Sequence, residues 1–245
     1  MRRFFVSPQA LEQNPIPLAG EVLHHLRSVL RLGPGQEILL LDGEGSLCCC
    51  RIEALGKDSG AARVLRRWHE DESAVPLRLI QALPKGDKLG LVLQKGTELG
   101  VATFAPVVTE RSIARPAKER ADKQLSRWRR IIQEAARQSL RPRLPRLCTP
   151  APLSRVLAET DEELRLMLWE EGSRPLDEAL PTTPPRSVAL LVGPEGGLTG
   201  QEADLAVASG FSAVRLGPRI LRTETAGFAA TAILQYLYGD LTRPR

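Results

Sequence analysis

The chain has 245 residues, 42% of them hydrophobic and 26% charged, with a formal net charge of +5. This is ordinary globular composition, with enough apolar residues for one large core or two smaller ones, and two domains are expected, 1–72 and 73–245. No stretch approaches the roughly 18 uncharged apolar residues of a membrane helix, and the start Met1–Val6 turns polar too early for a signal peptide, so no membrane partner and a cytoplasmic location are expected.

The first 70 positions read as mostly β. Glu21–Leu32 places Val22, Leu23, Leu26, Val29 and Leu30 at helical spacing. The turn Gly33-Pro34-Gly35 then introduces an apolar strand, Glu37–Leu41. Asp42-Gly43-Glu44-Gly45 is a hairpin signal, with Ser46–Ile52 as partner strand and Ala61–Trp68 as another. A small β-barrel with one helix is expected. Cys48, Cys49 and Cys50 alternate faces on their strand. With Cys148 they form no Cys-x-x-Cys pair and no metal set, so they read as small buried residues in a reducing compartment, and no metal is expected.

Beyond Pro76 the rhythm changes to strands alternating with helices, which implies a parallel sheet covered on both faces. The expected elements are strand Leu77–Ala82, helix Lys88–Leu99, strand Thr103–Val108 and helix Ala121–Leu140, the last with Leu125, Trp128, Ile132 and Ala135 inward. Strands Leu164–Leu168 and Val188–Val192 follow as short apolar runs suited to full burial. A helix opens at Thr199, where Glu202 completes a capping box, and closes at Gly210. Strand Ala213–Leu216 precedes a C-terminal helix with Ala226, Ala230, Ile233, Leu234 and Leu237 inward.

Charge is unevenly spread. Residues 111–146 hold twelve Arg or Lys and three acids, a local +9 that leaves −4 for the remainder. Such concentration suggests a polyanionic partner, because phosphate contacts dominate nucleic-acid affinity. A solvated helix face is the alternative, although a salt-bridged helix usually mixes signs.

Two strands end in glycine-containing loops, Gly193-Pro194-Glu195-Gly196-Gly197 and Gly217-Pro218-Arg219. Ligands of open parallel sheets bind outside the carboxyl ends of the strands. The first loop lacks the spacing of a phosphate-binding loop or a dinucleotide fingerprint, and Pro194 removes one N–H from any anion nest. It is either a tight turn or the seat of a neutral or cationic ligand. Arg219, Arg222, Thr223, Glu224 and Thr225 crowd one strand-to-helix junction. Thr223 and Glu224 suit a helix start. Arg222 has no such local reason, and its planar fork suits a heteroaromatic base with paired carbonyls.

Gly193–Thr199, Leu216-Gly217 and Ile220–Ala226 together resemble the RsmE family, the 16S ribosomal RNA uridine N3-methyltransferases of the SPOUT class. His24-His25-Leu26 with Val29-Leu30-Arg31, and Asp42-Gly43, resemble that family's PUA-like RNA-binding domain. Lys95–Gly100 resembles its first catalytic-domain helix, and Glu134-Ala135 with Gln138-Ser139 and Arg141 its basic helix. The resemblance implies an N-terminal PUA-like β-barrel and an α/β parallel-sheet domain with a trefoil knot. It implies S-adenosylmethionine bound by three loops, Leu168–Gly172, Gly193–Gly197 and Leu216–Leu221, with Leu168, Gly172, Gly193, Glu195, Gly196, Gly197, Leu216, Gly217, Ile220 and Leu221 as contacts. It further implies a homodimer whose target is the uridine at position 1498, in reference numbering, of 16S ribosomal RNA or the small subunit. Arg222 is the candidate to stabilise the uracil anion, with Glu224 or Glu195 as proton acceptor. Arg2, Arg3, Arg27, Arg31, Lys123, Arg127, Arg130, Arg137 and Arg141 are the candidate RNA contacts. The alternatives are a SPOUT enzyme acting on a ribose 2′-oxygen or another base, and a non-catalytic assembly factor.

Overall fold

The computed structural model describes residues 1–72, 75–112, 121–171 and 173–242. In chain order its elements are β1 (Arg3–Phe5), α1 (Pro8–Leu11), β2 (Ile16–Leu18), α2 (Gly20–His24), β3 (Glu37–Leu41), β4 (Ser46–Leu55), β5 (Gly60–His69), β6 (Leu77–Ala82), α3 (Lys88–Glu98) and β7 (Thr103–Val108). There follow α4 (Ala121–Gln138), β8 (Arg146–Leu147), β9 (Ala151–Pro152), α5 (Leu153–Ala158), β10 (Leu164–Leu168), β11 (Arg174–Pro175), β12 (Val188–Val192), α6 (Gly200–Ala208), β13 (Ser212–Arg215) and α7 (Thr223–Leu237).

Two compact units divide these elements. The first holds Met1–Glu72 together with Ala136–Leu144, and the second the rest of the described chain. In the first unit a mixed sheet runs in the order β1-β3-β4-β5-β2, an open half-barrel whose edges are β1 and β2. Leu26, Ile38, Leu40, Cys48, Cys50 and Ile52 fill its core. The cysteines alternate as expected, with Cys48 and Cys50 buried and Cys49 part-exposed, and all are free thiols.

The helix expected over Glu21–Leu32 is interrupted. After α2 the chain makes a wide π turn, His25–Val29, and Arg31 then takes a left-handed φ of 52°. The extra residue in that turn rotates the helix face. Leu26 stays buried at 0% exposure, while Val29, expected inward, stands 60% exposed.

In the second unit the strands run β11-β13-β10-β12-β6-β7-β8, every pair parallel, with β9 also beside β7. Alternate residues of a strand serve two cores. Leu77 and Leu79 of β6 and Val188, Leu190 and Val192 of β12 pack with residues of α3, α4 and α7. Ile80 and Ala82, with Ala189 and Leu191, pack against α5 and α6. Burial on both faces is why these strands read as continuous apolar runs.

The inward face of α4 is as expected, with Leu125, Trp128, Ile132 and Ala135 all buried. That of α7 is not. Its buried side carries Thr223, Gly227, Ala230, Thr231, Leu234 and Gln235. Ile233 and Leu237 stand 38% and 48% exposed. Polar side chains with tertiary partners occupy the inner face: Thr223 bonds Gln81 and Gly193, and Gln235 donates to the Gly100 carbonyl. The apolar pattern alone therefore picks the wrong stripe.

No helix among the described residues is long and apolar enough to cross a membrane. Also among them, no cluster of three or more His, Cys, Asp or Glu could hold a metal ion.

Candidate functional site

Strands β13, β10 and β12 lie side by side, so the loops leaving their carboxyl ends converge. Together they line a cavity of about 750 Å³, within the usual range for small-molecule sites. Leu168, Gly193, Glu195, Gly196, Gly197, Leu216, Gly217, Ile220 and Leu221 all border it, as does Arg222. Gly172 lies outside the described residues. Glu224 is not on the lining.

The glycine loop has local reasons for its composition. The Gly197 N–H donates to the Pro194 carbonyl at 2.9 Å, and Gly197 sits at φ 71°, a left-handed conformation that favours glycine. A Cβ on Gly193 would come within 3.2 Å of the Leu198 side chain and backbone. Beyond the loop, Thr199 caps α6 and shares the expected capping box with Glu202.

Three long-range contacts hold the loop. The Thr223 hydroxyl donates to the Gly193 carbonyl at 2.5 Å and accepts from Gln81 Nε2 at 3.0 Å. Arg111 Nη1 donates to the Gly196 carbonyl at 2.7 Å and itself lines the cavity. The Glu195 carboxylate accepts from the Lys85 N–H at 3.2 and 3.3 Å, and Lys88 Nζ lies 3.0 Å from its Oε1. Partial burial acts to raise the Glu195 carboxyl. Hydrogen bonds from its own N–H, from Lys88 and from the Lys85 N–H outweigh that and leave it below the ordinary carboxylate value. A carboxylate so stabilised is a poor proton acceptor, which counts against Glu195 as a general base.

Lys88 Nζ also lies 3.6 Å from Glu224 Oε2, an oxygen buried without a hydrogen bond. Both candidate bases thus face one ammonium. Arg222 is the N-cap residue of α7, exposed at the cavity edge, with no ion pair among the described residues. Gln81, Lys85, Lys88 and Arg111 were not singled out as site residues in the sequence. Their partners lie far along the chain, and no local spacing marks them.

The candidate RNA contacts divide. Arg2, Arg27, Arg31, Lys123, Arg127 and Arg130 are exposed. Arg127 is paired with both Asp87 oxygens at 2.7 Å, and Arg27 donates to the Gly56 carbonyl at 3.0 Å. Arg3 donates to the Leu140 carbonyl, and Arg137 approaches His25 Nδ1. Arg141 is corrected: it is 6% exposed and paired with Glu72 inside the first unit, so it offers no surface charge to a phosphate.

The cavity suits a cationic nucleoside-type ligand. Its walls are rich in loop backbone, and Leu168, Val192 and Leu198 give an apolar side. The charged residues are of both signs, Glu170, Glu171 and Glu195 against Arg111, Arg215, Arg219 and Arg222, which suits a ligand that carries both a cationic centre and a carboxylate. S-adenosylmethionine has this chemistry, and the lining residues fit it.

An RNA methyltransferase domain matches residues 71–235, and an RNA methyltransferase PUA domain matches residues 18–65. Ribosomal RNA small subunit methyltransferase E of Bacillus subtilis is 34% identical over 96% of both chains. The protein of that name from Mycobacterium bovis is 36% identical over 86% of this chain and 82% of its own. The crystal structure of ribosomal RNA small subunit methyltransferase E from Neisseria gonorrhoeae, bound to S-adenosylmethionine, is 37% identical. It superposes with a TM-score of 0.90 over 99% of this chain and 100% of that one. A Legionella pneumophila methyltransferase with bound S-adenosylmethionine gives 0.89 at 35% identity, over 98% of each chain. The chain belongs to the ribosomal RNA small subunit methyltransferase E family.

Proposed function

We propose that this protein methylates N3 of a uridine in 16S ribosomal RNA, position 1498 in reference numbering, with S-adenosylmethionine as donor. The observation that carries the reading is the cavity enclosed by the loops after β10, β12 and β13, with Arg222 at its edge. When bound there, the cofactor supplies a sulfonium methyl group open to in-line displacement. The backbone of Gly193–Gly197 and Leu216–Leu221 holds and orients it. Arg222 donates to a uracil carbonyl and stabilises the negative charge that develops as N3 loses its proton. Glu195 and Glu224, both facing Lys88, act as fixed charges, and the proton leaves to water at the open side of the cavity.

Residues 1–72 form the PUA-like RNA-binding part in this reading and 73–245 the catalytic part. Exposed basic residues on each, Arg2, Arg27 and Arg31 on one and Lys123 and Arg130 on the other, hold phosphate. Four free thiols favour the reducing cytoplasm as the site of action. The chain pairs as a homodimer through α7 and its extension, where Ile233, Tyr236, Leu237 and Leu241 are 38–62% exposed. A monomer in sedimentation at micromolar concentration would count against pairing. The segment after β13 is threaded as a trefoil knot, and an unthreaded experimental chain trace would overturn that.

The main test incubates the protein and S-adenosylmethionine with 16S RNA and with small subunits from cells lacking the modification, followed by nucleoside mass spectrometry. 3-Methyluridine is expected. A 2′-O-methyl nucleoside or another methylated base identifies a different SPOUT specificity. Cofactor binding without any methylated product identifies a non-catalytic assembly factor.

A further inference from the structure

Lys88 is the first residue of α3 and reaches the cavity only through Glu195, being absent from the lining itself. Its ammonium is 3.0 Å from Glu195 Oε1, on the glycine loop, and 3.6 Å from Glu224 Oε2, in the first turn of α7. Its neighbour Asp87 does not compete for it, being held through both oxygens by Arg127. One cation therefore serves two carboxylates on separate elements. The Glu195 side chain is 25% exposed and lines the cavity, while that of Glu224 is 12% exposed and is not on the lining.

We propose that Lys88 tunes the electrostatics of the glycine-loop side of the cofactor cavity: it ties the glycine loop to the first turn of α7 and offsets the charge that Glu195 and Glu224 present to a cationic ligand. The inference rests on the proposed function, and gives it a charge-setting residue. A methyl-donating sulfonium is positively charged, whereas the thioether left after transfer is neutral. Excess negative potential at the wall would hold the donor more tightly than the transition state, in which that charge is being lost, and would slow transfer. A lysine shared between Glu195 and Glu224 keeps both carboxylates in place as anchors and cancels part of their charge. Lys88 is thus a positioning residue that acts through the two glutamates.

The test needs no RNA. The full chain and its Lys88→Met and Lys88→Arg variants are titrated calorimetrically with S-adenosylmethionine and, separately, with S-adenosylhomocysteine. Lys88→Met should raise the preference for the cationic ligand by roughly threefold or more, the scale of one unit charge acting through partly solvated protein. Lys88→Arg should keep the original ratio. Equal losses for both ligands with an unchanged ratio would make Lys88 merely structural and overturn the proposal, as would unchanged affinities. If Lys88→Met does not fold, Glu224→Gln removes charge from the other side and should lower the ratio, and no change there overturns the proposal equally. An unmodified chain that binds neither ligand sinks the methyltransferase reading and this inference with it. One that binds both but methylates no uridine sinks only the substrate assignment.

Discussion

The hydroxyl of Thr223 donates to the carbonyl oxygen of Gly193 at 2.5 Å, joining the first turn of α7 to the glycine loop across 30 positions of sequence. The Thr223 hydroxyl oxygen in turn accepts from Gln81 Nε2, near the end of β6. Thr223 and Gln81 are 6% and 1% exposed, so water cannot replace either bond. Thr223→Val keeps the shape and leaves the Gly193 carbonyl unpaired. The expected cost is about 1–3 kcal/mol of stability, read by urea unfolding, together with weaker S-adenosylmethionine binding by calorimetry. Thr223→Ser should recover most of both. A Val variant with unaltered stability and affinity would make the bond incidental.

Arg222 is exposed at the cavity edge. Its removal should cost little stability and little cofactor affinity. It should lower kcat by about 10²–10³, the usual loss for one donor aimed at developing charge. Separate measurement of turnover and cofactor binding in Arg222→Ala checks this, and normal turnover with cofactor still bound would exclude Arg222 from the chemistry.

The parts of the fold that were legible in the sequence are those with a repeating local signal. Leu77–Ala82 and Val188–Val192 read as strands because both faces are buried, and Thr199 with Glu202 marked a helix start by spacing alone. The two-residue strands β8, β9 and β11 carry no period to read. At α7 hydrophobic spacing misassigned Ile233 and Leu237, because Thr223, Thr231 and Gln235 hold the inner face. The cavity's glycines were legible because their loops follow buried strands. Lys88 and Arg111 were not, since Lys88 meets Glu195 and Arg111 meets Gly196 only after the sheet assembles.

In the β3–β4 turn, Asp42 Oδ1 accepts from the Glu44 N–H at 2.7 Å and the Ser46 N–H at 3.0 Å. Burial acts to raise this carboxyl, but the hydrogen bonds from Glu44 and Ser46 prevail and hold it below its ordinary value of 3.8. A carboxyl depressed by folding stabilises the protein above its unfolded pKa, and that contribution is lost as pH falls through the folded value. Asp42→Asn should therefore lower Tm at pH 7, and the difference from the parent should shrink on acidification below about pH 4. A gap that stays constant down to pH 2–3 would contradict this.

Arg141 and Glu72 form a largely buried pair, with side chains 7% and 18% exposed, between two sequence-distant parts of the first unit. Glu72→Ala leaves the guanidinium buried without its carboxylate. A loss of about 3–5 kcal/mol is expected, measured by chemical denaturation. Glu72→Gln, which keeps an acceptor oxygen, should lose less. If both variants unfold like the parent, the pair contributes nothing net.

Basic residues on α4 differ in how free their charge is. Arg127 is neutralised by both oxygens of Asp87, whereas Lys123 and Arg130 are exposed and have no ion pair among the described residues. A paired arginine releases fewer counterions when it meets a phosphate, because it must first give up its carboxylate. Lys123→Ala and Arg130→Ala should each reduce the slope of log affinity against log salt by about 0.7–0.9. Arg127→Ala should change the slope less. Asp87→Ala frees Arg127 and should steepen the slope, a change of opposite sign that no loss of folding can imitate. Binding of a 16S fragment across a salt series measures all four variants, and equal slopes for Arg127→Ala and Arg130→Ala would show that the Asp87 pair does not hold in solution.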